Sequence, residues 1–116
     1  MDDRIWPSEW LRGVLSLCVL AVIADAGDKG THGYAIARQL QSRGLGTVKG
    51  GTLYPILNRL ENNDLLRSAW IEGDGGPGRK LFTATKSGHS YLVTRSEEWS
   101  MFVTRANNLI TSGSNS

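Results

Sequence analysis

The chain has 116 residues, enough for one domain with a single modest core, and its 40% hydrophobic and 21% charged content are those of an ordinary soluble globular protein. One cysteine, Cys18, excludes an intramolecular disulfide and fits a reducing cytoplasm; set in an apolar run, it reads as a small core residue. A net charge of +2 permits nucleic acid as a partner without demanding it.

Asp2, Asp3 and Arg4 precede Trp6-Pro7, so no basic region leads into the apolar run Gly13 to Ala24, and no secretory signal is expected. That run is also short of the ~20 residues a membrane span requires. Ser8 is a suitable N-cap, with Glu9 in the first turn, for a helix to about Ala26. Its Leu11, Val14, Leu15, Leu17, Cys18, Leu20, Ala21, Val22 and Ile23 are apolar on most faces, which predicts burial on two sides. Gly27-Asp28-Lys29-Gly30 is a turn.

Residues 33–43 predict a second helix, with Tyr34, Ile36, Ala37 and Leu40 at helical spacing and Gly44 as its C-cap. After a short turn at 44–48 a third helix is expected over about 50–63. Leu53, Leu57 and Leu60 share one of its faces, and Thr52, Pro55 and Arg59 lie roughly opposite. Pro55 has no amide to donate, which leaves the first residue of this helix unfixed. Two amphipathic helices about a short glycine-bearing turn make a helix-turn-helix.

Leu66 to Glu72 and Lys80 to Thr85 predict two strands, with residues 73–78 as a flexible hairpin tip. From Lys86 to about Ser112 the pattern is helical again, and Leu92, Trp99, Phe102, Val103, Ala106, Leu109 and Ile110 form a stripe. A lone terminal helix has no core to bury that stripe, so a second copy of the chain, a C2 dimer, is the economical partner. The expected fold is α+β, mostly α. It comprises a winged helix-turn-helix over 1–85, a dimerisation helix over 86–112 and a disordered tail at 113–116.

Helix followed by basic hairpin is how a winged helix-turn-helix meets duplex DNA, one in the major groove and the other along the backbone. Arg38, Arg43, Lys49, Arg59, Arg67, Arg79, Lys80 and Lys86 all fall in the central half of the chain. Gly73-x-Gly75-x-x-Gly78 formally matches a dinucleotide fingerprint but leads into a strand rather than a helix, so it is read as a wing tip. His32, His89 and Cys18 lack metal-ligand spacing, and no catalytic constellation is present in the pattern. Neither a cofactor nor an enzyme activity is expected.

The chain resembles the PadR family of bacterial transcriptional repressors. The resemblance rests on His32-Gly33-Tyr34-Ala35-Ile36, on Gly51-Thr52-Leu53-Tyr54-Pro55-x-Leu57-x-Arg59-Leu60-Glu61, and on Gly78-Arg79-Lys80-Leu81-Phe82 followed by Thr85-Lys86-Ser87-Gly88. The single terminal helix is similar to the family's small subfamily. The resemblance implies a cytoplasmic homodimer that represses nearby genes and is often relieved by a small molecule. It places the DNA surface on Thr52, Tyr54 and Arg79. Physical argument adds Lys49, Gly50 and Lys80, since cations and free helix amides suit phosphate and glycine allows close approach; Tyr34 and Arg59 complete the expected DNA-facing set. The family often has Ser then Pro where this chain has Lys49-Gly50, and Gly where it has Asp64.

In drug-sensing members of the small subfamily a terminal-helix tryptophan faces its dimer mate across a pore, and Trp99 falls at that place. The resemblance implies a cavity lined by Trp10, Gly13, Trp99, Phe102 and Ala106. Facing indoles could sandwich a flat aromatic effector, each pair adding about 0.5–1.5 kcal/mol beyond area burial. Alternatively Trp99 and Trp10 only pack the dimer. Val103 replaces an acidic residue of some relatives, which favours neutral aromatics. The competing function is a winged-helix protein-interaction module without sequence-specific DNA binding.

Overall fold

The computed structural model describes residues 5–73 and 75–115. Helix α1 spans Ser8–Ala26, α2 Gly33–Ser42, α3 Gly50–Asn62 and α4 Lys86–Ser114; strands are β1 Thr31–His32, β2 Leu66–Gly73 and β3 Gly76–Ala84. The predicted helix-turn-helix and wing are present, and the fold is mostly helical with a small antiparallel sheet of order β1-β3-β2.

Helix α1 begins one residue earlier than a Ser8 cap would allow. Trp10 and Leu11 donate their amides to the Pro7 carbonyl at 3.0 and 3.3 Å, so Pro7 is the cap and contributes no side-chain acceptor. With its 3₁₀ extension, Ser8–Lys29 is 22 residues, which is long and apolar enough to cross a membrane by length and composition alone. Length alone therefore does not distinguish this helix from a membrane span. The helix's place in the fold supplies the reason for its apolarity instead, because Leu15, Val19, Leu20, Val22 and Ile23 are all buried.

These side chains meet Ile36 and Leu40 of α2, Leu53, Ile56, Leu57 and Leu60 of α3, and Val48, Leu65, Leu66 and Phe82 in one cluster. The 3.6-residue period explains the α3 contribution, since it presents one apolar face inward. Helices α2 and α3 end in the same way. Gly44 and Asp64 donate to Gln41 and Glu61, while Leu45 and Leu65 reach back to Leu40 and Leu60 at 2.9 and 3.0 Å. This pair of bonds is the Schellman closure, which needs a left-handed residue one past the cap. Gly44 has φ 96°, and Asp64 takes the same region at φ 61° despite its side chain.

Two parts of the sheet differ from expectation. Strand β1, unforeseen, pairs Thr31 with Phe82 and His32 with Leu81. Strand β3 starts at Gly76 rather than Lys80: Gly76 pairs with Gly73, and a register shift between Ile71 and Gly73 leaves Pro77 and Gly78 in an irregular stretch of the hairpin. Asp74 lies outside the described residues. Pro77 is compatible with a strand because β1 reaches only Leu81 and Phe82, leaving β3 without a neighbour on that side near the tip.

The start of α4 is locked to this domain. Thr85 accepts from the Gly88 amide through its hydroxyl at 2.9 Å, and the same hydroxyl donates to the Asp64 carbonyl at 2.6 Å. A Cβ on Gly88 would lie 2.1 Å from the Leu65 carbonyl oxygen, so only glycine allows this junction. Leu92 still packs against the core. Beyond it the helix runs alongside α1 with its apolar stripe largely exposed, and the molecule reaches 62 Å along its long axis. The helix continues through Gly113 and Ser114, two residues that the sequence placed in a disordered tail; Asn115 caps it.

Candidate nucleic-acid interface and interhelical cleft

Every third or fourth residue of α3 is committed to the core, which leaves an exposed face from Gly51 and Thr52 through Tyr54, Pro55, Asn58 and Arg59. Lys49 caps the helix with its carbonyl and contributes no side-chain bond, so the first amides of α3 are open to an incoming acceptor. Pro55 is accommodated inside the helix, at its sixth residue.

One edge of this face looks toward the wing. Tyr54, Tyr34, His32, Trp70, Arg79 and Lys80 border an open cleft of about 620 Å³. Tyr54 is set against the backbone of α2: a Cβ on Gly33 would come within 2.6 Å of its hydroxyl. Tyr34 is 70% exposed, with the Arg38 guanidinium 5.8 Å above its ring. Arg79 donates toward His32 Nε2 at 3.2 Å, while the Ala35 amide donates to His32 Nδ1 at 3.4 Å. A neutral imidazole has one acceptor nitrogen, so His32 can cap α2 or hold Arg79 but cannot do both at full strength. Arg79 is thus only loosely retained.

Lys80 is tied more firmly. It lies 3.6 Å from Glu61, whose other oxygen accepts the Ser68 hydroxyl at 2.5 Å. That network joins the end of α3 to both wing strands and fixes the wing's orientation. Lys80 also stands 5.8 Å from the Phe82 ring.

Lys49, Thr52 and Arg59 occupy the other flank of α3, facing α1. Arg59 donates to the Ser16 hydroxyl at 3.2 Å and does not share the wing cleft. Seven of the eight residues expected at the DNA surface therefore divide between the two flanks of α3, and Gly50 lines neither cleft but lies beside the Tyr54 ring. Sequence reading passed over His32 and Trp70 as members of the wing cleft. Their signal was present for His32 in its place before Gly33-Tyr34, but Trp70 depends on a strand register that only the hairpin fixes.

A second site lies between α1 and α4. Trp10, Trp99, Phe102, Val103 and Ala106 line an open cleft of about 600 Å³, which Trp6 also borders. Trp6 and Trp10 have ring centroids 6.4 Å apart, and Trp99 and Phe102 are 5.8 Å apart. Trp6, which the sequence reading did not select, donates to the Gly44 carbonyl at 2.7 Å and so fixes the N-terminal segment over the end of α2. Its spacing of four from Trp10 was the available signal. Gly13 is not in this cleft. It borders a neighbouring one with Tyr91, Arg95 and Glu98, and the Trp99–Phe102 pair walls both. Arg95 binds Glu98 and covers the Tyr91 ring at 4.9 Å. Bonds to Tyr91 and then Glu98 hold its guanidinium above its ordinary pKa. On the far side of α1, burial raises the Cys18 thiol pKa, partly opposed by Arg43.

A helix-turn-helix joined to a cation-bearing two-stranded wing defines the winged-helix class. Residues 19–94 match the model of the Transcriptional regulator PadR-like family. A PadR-like transcriptional regulator of Bacillus cereus superposes with TM-score 0.74 and 30% identity, covering 88% of this chain and 96% of that one. A PadR family regulator of Eggerthella lenta gives TM-score 0.77 at 29% identity, over 88% of this chain and 86% of that one. The transcriptional regulator Rv3488 of Mycobacterium tuberculosis is 37% identical over 74 residues, which is 64% of this chain and 67% of the relative. The chain belongs to the PadR-like family of transcriptional regulators.

Proposed function

We propose that this regulator is a cytoplasmic homodimeric repressor that binds an operator in double-stranded DNA through α3 and the wing. The observation that carries this reading is the wing cleft. It sets exposed Tyr34 and Tyr54 on one surface with Arg79 and Lys80. The cations suit phosphates, while the tyrosines stand where base edges would pass. Thr52 and Tyr54 are the assigned groove contacts; Lys49, Gly50, Arg59, Arg79 and Lys80 are assigned to the backbone. The dimer forms along α4, whose Phe102, Leu109 and Ile110 are exposed in the protomer.

Release of the operator is assigned to a neutral planar aromatic effector entering between Trp10 and Trp99, with Phe102 and Ala106 as walls. The cleft's apolar lining and its tryptophans support that chemistry. Fluorescence anisotropy on the DNA upstream of the chain's own gene, with non-cognate duplex as competitor, tests the reading. Tight binding that weakens steeply with salt and is lost in Arg79→Ala with the fold intact is expected. A correctly folded protein that prefers no duplex, on this DNA or across the genome, would instead establish the interaction-module alternative.

A further inference from the structure

We propose that the cleft between α1 and α3 is a second phosphate-binding surface, gripping the DNA backbone on the flank of α3 opposite the wing, with Arg12 as its outlying cation. This rests on the reading of α3 as the groove-entering helix. A helix lying in a major groove about 12 Å wide has a sugar-phosphate backbone on each flank. The wing supplies cations to only one of them.

The other flank is built in a matching way. Arg12 of α1, Lys49 before α3 and Arg59 within α3 line a single open cleft of about 570 Å³, and among the described residues no carboxylate lines its wall. Lys80 and Arg95, by contrast, stand against carboxylates, Glu61 and Glu98. Among the described residues neither Arg12 nor Lys49 has an ion-pair partner. Three converging positive charges without a counter-charge cost free energy in the isolated protein and are relieved by a polyanion.

Arg59 is held in place rather than left free. Its bond to Ser16 uses one of five guanidinium donors and points the group across the cleft toward α1. The bond explains why Arg59 stands away from the wing. Ser8 and Gly51, in the first turns of α1 and α3, also line the wall, and neither helix has a side-chain cap, so backbone amides add to the cationic side chains. Arg12 is the member that no base-reading role explains, because it belongs to a different helix and lies beside the groove helix rather than on it.

The test compares wild type, Arg12→Gln and Arg12→Lys on one duplex selected by the wild-type protein and on one unrelated duplex, across a salt series. Arg12 is exposed, and melting temperature verifies each fold. Losing one phosphate contact per protomer, two per dimer, should lower the slope of log affinity against log salt by about 1.8 and weaken binding about sixtyfold at about 0.1 M salt. The loss should be equal on both duplexes, and Arg12→Lys should restore most of it. Ethylation interference should lose signal from phosphates on the strand not protected by the wing. An unchanged slope in Arg12→Gln with DNA binding intact overturns the inference. So does a loss confined to the selected duplex, or saturable binding of inorganic phosphate that Arg12→Gln abolishes while DNA affinity stays constant. A wild type with no salt-dependent duplex binding overturns the DNA-binding reading itself, and this inference with it.

Discussion

The domain through Ala84 and the helix after Leu92 solve the same problem, apolar side chains in water, in opposite ways. In the domain, Leu20, Ile23, Ile36, Leu53, Leu57 and Phe82 interlock to complete burial. In α4, Gly88 is the only buried residue, while Phe102, Leu109 and Ile110 are 62%, 77% and 70% exposed. A side chain fully buried on folding contributes roughly 1.5–3 kcal/mol, and the terminal stripe forgoes most of that within one protomer. The first region is self-sufficient; the second carries a surface whose stabilisation has to come from elsewhere. An asymmetry of this kind suits a regulator, because a surface left open inside the protomer can be adjusted by whatever covers it.

The largest expected effect lies at the joint itself. Gly88→Ala drives a methyl against the Leu65 carbonyl, which also accepts the Thr85 amide at 3.1 Å. A loss of about 3 kcal/mol or more in urea unfolding is expected, since backbone has to move rather than a flexible side chain. Stability within about 0.5 kcal/mol of wild type would show that the two regions are not rigidly joined.

The next pair of variants sharpens the contrast directly. Leu57→Ala should cost about 2–5 kcal/mol, as cavity formation does in a closed core. Ile110→Asp should change the unfolding free energy of dilute protein by less than about 0.5 kcal/mol, yet reduce self-association in sedimentation. Comparable losses of stability in both would remove the distinction between the regions. The smallest effect concerns the end of α3. Asp64→Gly relieves a left-handed residue at φ 61° at some cost in unfolded-chain entropy, so a gain of up to about 1 kcal/mol is expected in thermal unfolding. A loss would mean that the Asp64 side chain contributes more than its strain.

Helical periodicity made α2, α3 and most of α4 legible, because Leu53, Leu57 and Leu60 repeat at the spacing that core burial requires. The two-residue β1 has no periodicity to read, and its partners Leu81 and Phe82 lie some fifty residues on. Gly76-Pro77-Gly78 carried a turn signal, yet Gly76 pairs with Gly73 and the irregularity that follows admits Pro77 and Gly78 into β3, helped by the open side of the strand at that point. For the site, Tyr54 and Arg79 could be placed from the order helix, strand, strand. Arg59 could not, because which flank it serves depends on where α1 lies, and the Ser16 hydroxyl decides it. Gly13 failed for a similar reason, as one turn of α1 carries it past the Trp99–Phe102 wall.

Selection of bound duplexes from a random-sequence library by the full-length protein tests the central claim most directly. A dimer built on α4 that presents two α3 helices to DNA predicts enrichment of an inverted repeat, with half-sites about one helical turn or a multiple of it apart. Enrichment should disappear with Arg79→Ala. A library that emerges unenriched from folded protein, or one that yields a single unrepeated motif, would contradict the account.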